Sequence, residues 1–180
     1  MPGKQLYLFV EGPSDRRLIT EIVKPILEER LSEQEGTVIV SEYARMQKVE
    51  MNNLLTTIKA SGDDYLLFAD RDSATCVTAK KEGLQEKFSR LDAQKVIIVA
   101  RLIEGWYFAG LNATSARTLK IVVPEKTDKL TKAEFNAAIP GNFKSGTDFM
   151  REILKYFDIE TAKRKNKSFR YFVDKYQLDS

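Results

Sequence analysis

Short apolar runs alternate along the first half of the chain with longer stretches whose apolar residues recur every three or four positions. Lys4–Val10 reads as a buried strand, and Leu18, Ile19, Ile22, Val23, Ile26 and Leu27 supply one face of a following helix. Ser14 or Gly12 is the expected cap of that helix. Pro25 falls inside the pattern and predicts a kink or a stop near Val23. Thr37–Tyr43 is a second strand; Met51, Leu54, Leu55 and Ile58 mark a second helix, ended by Ser61-Gly62-Asp63-Asp64. Tyr65–Ala69 is wholly apolar, as a central parallel strand requires. A helix from about Thr75 to Leu91 sets Val77, Leu84, Phe88 and Leu91 on one face. Lys95–Ala100 is a fourth strand, and a short helix then carries Trp106 to Leu111. Strands alternating with helices argue for a parallel sheet covered by helices.

The pattern changes after Asn112. Leu119–Val123 reads as a strand or a helix end before Pro124, and Lys126–Lys132 as an exposed polar stretch. Helical periodicity returns over about Lys132–Ile139, Gly146–Phe157 and Ser168–Gln177. Phe149, Met150, Ile153, Leu154 and Phe157 pack the second of these, and Phe169, Phe172, Val173 and Tyr176 the third. The expected fold is therefore α/β: a mainly parallel sheet of about four strands flanked by helices over residues 1–112, with a helical C-terminal extension over 113–180 packed on the same domain.

Composition narrows the chemistry. The chain has 180 residues, 43% hydrophobic and 31% charged, which is the balance of an ordinary globular protein. No apolar stretch reaches membrane-span length and the first residues lack a signal-peptide pattern, so a cytoplasmic protein with no membrane partner is expected. The single cysteine, Cys76, rules out an internal disulfide framework. There is no histidine, which excludes a Ser-His-Asp triad and His-ligated zinc. Any metal site must be built from oxygen, which favours hard cations such as Mg²⁺, Mn²⁺ or Ca²⁺. The net charge of +3 says little by itself; Lys163, Arg164, Lys165, Lys167 and Arg170 cluster near the C-terminus.

Carboxylates stand where the strands are expected to end. Glu11 follows the first strand and Asp15 lies in the next helical turn; Asp70 and Asp72 follow the third strand; Glu104 follows the fourth. Parallel strands bring their C-terminal ends to one rim of the sheet, where open α/β folds bind ligands. Like charges gathered there repel unless a cation neutralises them or some take up protons. Each acid has a plain alternative: Glu11 a solvated strand end, Asp15 a helix-dipole residue, Asp72 with Ser73 a helix cap, Glu104 an ion pair with Arg101. Three of the four expected strands followed by acids favour a shared metal site over four separate accidents. Trp106 and Tyr107 read as core. The Gly141–Thr147 stretch has P-loop glycine spacing but lacks the lysine and a preceding strand, so no ATP site is expected there.

The residues Val10-Glu11-Gly12 and Asp70-Arg71-Asp72 resemble the hallmark of Toprim domains, the metal-binding fold of topoisomerases, primases and OLD-family nucleases. Asp15 matches the acid that OLD-type members carry four residues after the glutamate. Arg101-Leu102-Ile103-Glu104-Gly105-Trp106 is similar to the Glu-x-Trp element of standalone Toprim-like proteins of the DUF4276 type. The resemblance covers roughly residues 5 to 110. It implies metal-dependent phosphoryl transfer on nucleic acid, in the OLD-like form phosphodiester hydrolysis by water. Asp70 and Asp72 would ligate Mg²⁺ or Mn²⁺, Glu11 would serve as ligand or general acid/base, and Asp15 and Glu104 would complete a second metal site. A lysine of the C-terminal cluster, Lys165 or Lys167, would neutralise charge on the scissile phosphate.

Three functions follow as expectations. The first is a Mg²⁺- or Mn²⁺-dependent nuclease with nucleic acid as partner, DNA ahead of RNA. The second is a Toprim-like subunit that binds metal and nucleic acid without cutting, in a complex with a separate ATPase or defence-system protein. The third is a small-molecule phosphohydrolase: Asp70-Arg71-Asp72-Ser73-Ala74-Thr75 approaches the Asp-x-Asp-x-Thr of haloacid-dehalogenase-type phosphatases, with Ala74 where that motif needs threonine.

Overall fold

A computed structural model describes residues 3–32, 35–176 and 178. Its contacts divide the chain into two compact units, Met1–Ile98 and Val99–Ser180.

The first unit is built on a four-stranded, all-parallel sheet with helices between its strands. The strands are β1 (Gln5–Val10), β2 (Thr37–Glu42), β3 (Asp64–Asp70) and β4 (Val96–Val99), in the order β2-β1-β3-β4. β1 is central because its last residues, Leu8, Phe9 and Val10, are apolar and fully buried. Burial of such side chains stabilises by about 1.5–3 kcal/mol each. The register sets Val10 opposite Glu42 and Phe9 opposite Leu67. Continued past the strand ends, it carries the residues after β1, β2 and β3 to the same rim.

The segment after β1 is helical from α1 (Pro13–Leu18) through a π turn (Ile19–Val23) into α2 (Lys24–Leu31). Pro25 lacks an N–H, and its ring collides with a regular helical carbonyl four residues back. The chain widens by one residue instead, Lys24 N–H reaching Ile19 O, and the helix goes on to Leu31 rather than stopping near Val23. Gly12, not Ser14, occupies the N-cap position of α1, with no side-chain cap. α3 (Lys48–Ser61) starts from a Gln47–Glu50 capping box and ends at Gly62, whose φ of 78° is the left-handed turn glycine tolerates best. α4 (Val77–Lys87) is capped by the Cys76 sulfur, so Asp72 and Ser73 do not cap it. Leu84, Phe88 and Leu91 are buried as expected, but Val77 is exposed because it opens the helix at its first turn. Met51, Leu55, Ile58, Leu84 and Phe88 pack with Phe9, Leu67, Val96 and Ile98 in one core cluster.

The second unit is helical: α5 (Glu104–Ala109), α6 (Ala113–Thr118), α7 (Lys132–Ala137), α8 (Gly146–Leu154), α9 (Ile159–Lys165) and α10 (Lys167–Tyr176). α6 and α9 were not expected from the sequence; of the two readings of Leu119–Val123, the strand is absent and the helix end is met at Leu119, the C-cap of α6. Gln177, the expected end of the last helix, lies outside the described residues. Trp106 and Tyr107 are core residues, fully buried. Trp106 meets Phe169 edge-on at 4.9 Å and Phe172 face-on at 5.8 Å, while Phe108 packs against Phe135 at 4.8 Å.

The expected exposed stretch Lys126–Lys132 is corrected at Thr127 and Leu130, which are buried. Thr127 N–H donates to Lys165 O, and its hydroxyl accepts from Asn166 Nδ2 at 3.0 Å, so a polar residue is buried with its bonds made. A Cβ on Gly105 would lie 2.9 Å from Thr127 O, so α5 can approach this loop only with glycine there. No helix among the described residues is long and apolar enough to cross a membrane.

Candidate acidic site at the strand ends

In a sheet ordered β2-β1-β3-β4, the chain leaves β1 toward one neighbour and later returns to its other side. The crevice between the C-terminal ends of β1 and β3 is thus the topological switch point, where open α/β sheets bind ligands. Glu11 directly follows β1 and Asp70 is the last residue of β3. The two strands paired there carry the two acids to opposite sides of that crevice. The Asp70 N–H donates to the Glu11 carboxylate. Asp15 lies in the first turn of α1 and is 6% exposed; Asp70 is 8% exposed. Asp72, two residues beyond β3, is exposed and has a φ of 51°, a left-handed conformation that Asp adopts more readily than most residues.

Two residues that the sequence did not single out complete this site. Tyr43, next after β2, donates its hydroxyl to Glu11 Oε1 at 3.1 Å, and its own N–H to Val10 O at 2.9 Å. Lys80, on α4, lies 2.9 Å from Asp72 Oδ2 and 3.9 Å from Glu11 Oε1. Tyr43 sits at the strand-end position beside Glu11, which the β2 pattern alone contains. Lys80 carries no such signal; only the course of α4 brings it back to the rim.

The electrostatics show that these groups share one environment. Burial raises the Glu11 carboxyl above its ordinary value. The Lys80 ammonium, the Tyr43 hydroxyl and the Asp70 N–H oppose that rise, while the charge of Asp72 adds to it. Burial raises the Tyr43 hydroxyl well above its ordinary value, helped by the charge and hydrogen bond of Glu11 and then by the charges of Asp15 and Asp70. Tyr43 therefore stays protonated and acts as a donor.

The donor set is all oxygen, which suits a hard divalent cation. Among the described residues, no three Asp, Glu or Cys side chains stand close enough together to hold an ion. The arrangement fits the other mode such cations use, one or two carboxylates completed by water and phosphate oxygens.

The remaining sequence candidates belong to the second unit. Glu104 opens α5 rather than ending a strand, and is 3% exposed. It is ion-paired with Lys132, not with Arg101. Lys165 donates to Leu111 O at 2.7 Å, and burial, followed by the nearby Arg164 charge, lowers its ammonium below the ordinary lysine value. Lys167 opens α10, its N–H held by Asp128 Oδ1 at 2.7 Å and its side chain exposed.

Comparison with protein-family models, with curated proteins and with solved structures found no match for this chain.

Proposed function

We propose that the protein is a metal-dependent nuclease with a Toprim-like core, hydrolysing nucleic-acid phosphodiesters with water. Glu11 and Asp70 are its principal Mg²⁺ or Mn²⁺ ligands, with Asp15 and Asp72 beside them. One observation carries this reading: Glu11, next after β1, and Asp70, the last residue of β3, stand at the paired C-terminal strand ends that form the switch point of a parallel sheet. A divalent cation held there would activate a water and neutralise phosphate charge. Tyr43 and the Asp70 N–H fix the Glu11 carboxylate. Lys80 balances Glu11 and Asp72, and its ammonium is available to a phosphate once those acids are otherwise neutralised. Glu104, Lys165 and Lys167 belong to the second unit and are given no role in this site. The substrate is nucleic acid, DNA ahead of RNA, met in the cytoplasm, alone or beside a separate ATPase or defence-system protein.

The test is cleavage of plasmid, linear duplex, single-stranded DNA and RNA with Mg²⁺, Mn²⁺, Ca²⁺ or EDTA. Metal-dependent cleavage that disappears in Asp70→Asn/Asp72→Asn, with the fold retained, is the expected result. Full activity in that variant sinks the proposal. A second reading, a subunit that binds metal without cutting, keeps the same carboxylate ligands, with Lys80 a counter-charge to Glu11 and Asp72 rather than a phosphate contact. Its mark is a metal-dependent rise in Tm, absent from the same variant, with no cleavage.

A further inference from the structure

A groove of about 340 Å³ opens beside the acids, between the end of β2 and α4. Glu11 and Tyr43 are among its lining residues. Its α4 wall is made of Ala79, Lys80, Gly83, Leu84 and Lys87, and Ala44 faces it from the loop after β2. Ala44, Ala79 and Gly83 carry almost no side chain, and a Cβ added at Gly83 would meet nothing within 4 Å. The lining therefore combines small residues and Leu84 with the two cationic side chains that α4 supplies, Lys80 and Lys87. Lys80 and Lys87 are seven residues apart, about 10 Å along a helix. Their flexible four-carbon stems let both ammonium groups turn toward one ligand. The volume is at the lower end of ligand-site size, enough for one small polar molecule with a flat or apolar body.

We propose that this groove takes one nucleotide unit of a single-stranded nucleic acid, its base and sugar against Ala44, Ala79 and Gly83 and its flanking phosphates toward Lys80 and Lys87. The inference deepens the nuclease reading and rests on it. Single strands bind where a cationic groove tracks the backbone and a surface receives the base. A duplex keeps its bases paired and stacked, so it would offer this groove only backbone. The unit so held would have a flanking phosphate near Glu11, beside the acids. The same site chemistry would also accept a free nucleotide or inorganic phosphate.

The experiment measures binding of a fluorescent single-stranded 12-mer, as DNA and as RNA, to the full chain in EDTA and in Ca²⁺. Wild type is compared with Gly83→Trp, which fills the groove, and with Lys87→Glu, an exposed position whose one ring contact is the Lys87 ammonium 5.0 Å from the centre of the Phe88 ring. Thermal melts check that both variants fold. Binding of at least one 12-mer, weakened about tenfold or more in both variants, is expected. Unlabelled mononucleotide should displace the 12-mer at lower concentration than inorganic phosphate, and duplex should compete poorly. Binding unchanged by Gly83→Trp and Lys87→Glu overturns the inference and leaves the nuclease reading standing if wild type still cleaves. Displacement by phosphate as readily as by mononucleotide, or by duplex more readily than by single strand, also overturns it. Neither binding nor cleavage of any nucleic acid by wild type overturns both.

Discussion

The Tyr43 hydroxyl donates to Glu11 Oε1 at 3.1 Å, tying the residue after β2 to the residue after β1. Tyr43 is 2% exposed, so its hydroxyl has little access to water and depends on Glu11 as its acceptor. Tyr43→Phe removes the donor and keeps the ring. The expected cost is about 1–2 kcal/mol of stability, because a hydrogen bond to a charged acceptor is lost without opening a cavity. Urea unfolding checks it; an unchanged midpoint would mean the hydroxyl contributes nothing to holding Glu11.

The Ser168 hydroxyl is used to capacity. It accepts from Ala100 N–H and from Trp106 Nε1–H, each at 2.8 Å, and donates to Asn166 Oδ1 at 2.8 Å. Ser168→Ala withdraws the acceptor from two donors at once. A destabilisation of roughly 2–6 kcal/mol is expected, from about 1–3 kcal/mol for each stranded group. Trp106 is the sole tryptophan and fully buried, so its emission reports unfolding of the unit that contains it. A loss below half a kcal/mol would show that water replaces the serine.

Gly83 lies inside α4, where glycine costs about 0.5–1 kcal/mol relative to alanine, and a Cβ there meets nothing. Gly83→Ala should raise stability by that amount, read as a small upward shift in Tm. A drop would mean that the open space beside α4 closes in solution.

Asp158 caps α9, accepting from Thr161 N–H at 2.6 Å. The Thr161 hydroxyl and that N–H hold its carboxyl below the ordinary aspartate value of 3.8. A depressed folded-state value means stability that is present above the unfolded value and lost as pH falls through the folded one. Tm should therefore fall as pH drops below about 4, and Asp158→Asn, which keeps a capping oxygen but does not titrate, should flatten part of that fall. An identical acid limb in wild type and variant would count against the assignment.

The strands were legible because each is a run of apolar residues bounded by turn formers. Leu6–Val10 and Tyr65–Ala69 leave little choice of structure, and both stop at acids. Helices with a broad apolar face, such as the one carrying Phe149, Met150, Ile153 and Leu154, were equally plain. α6 and α9 were not, since Ala113–Thr118 and Ile159–Lys165 are short and mostly polar. Their starts rest on the caps Asn112 and Asp158, which bond locally and leave no periodic trace. Thr127 could not be recognised as buried, because its partners Lys165 and Asn166 lie far along the chain.

The same division holds for the acidic rim. Sequence by itself determined the alternation of strands and helices and the positions of Glu11 and Asp70 at strand ends, because period and punctuation are local properties. Tertiary structure alone decided the order β2-β1-β3-β4, which sets β1 against β3 and makes their ends a crevice. It also decided that Tyr43 donates to Glu11, that Lys80 bridges Glu11 and Asp72, and that Glu104 pairs with Lys132. Those relationships depend on where separate elements come to rest, and a side chain's charge and size do not specify its neighbour until packing has chosen one.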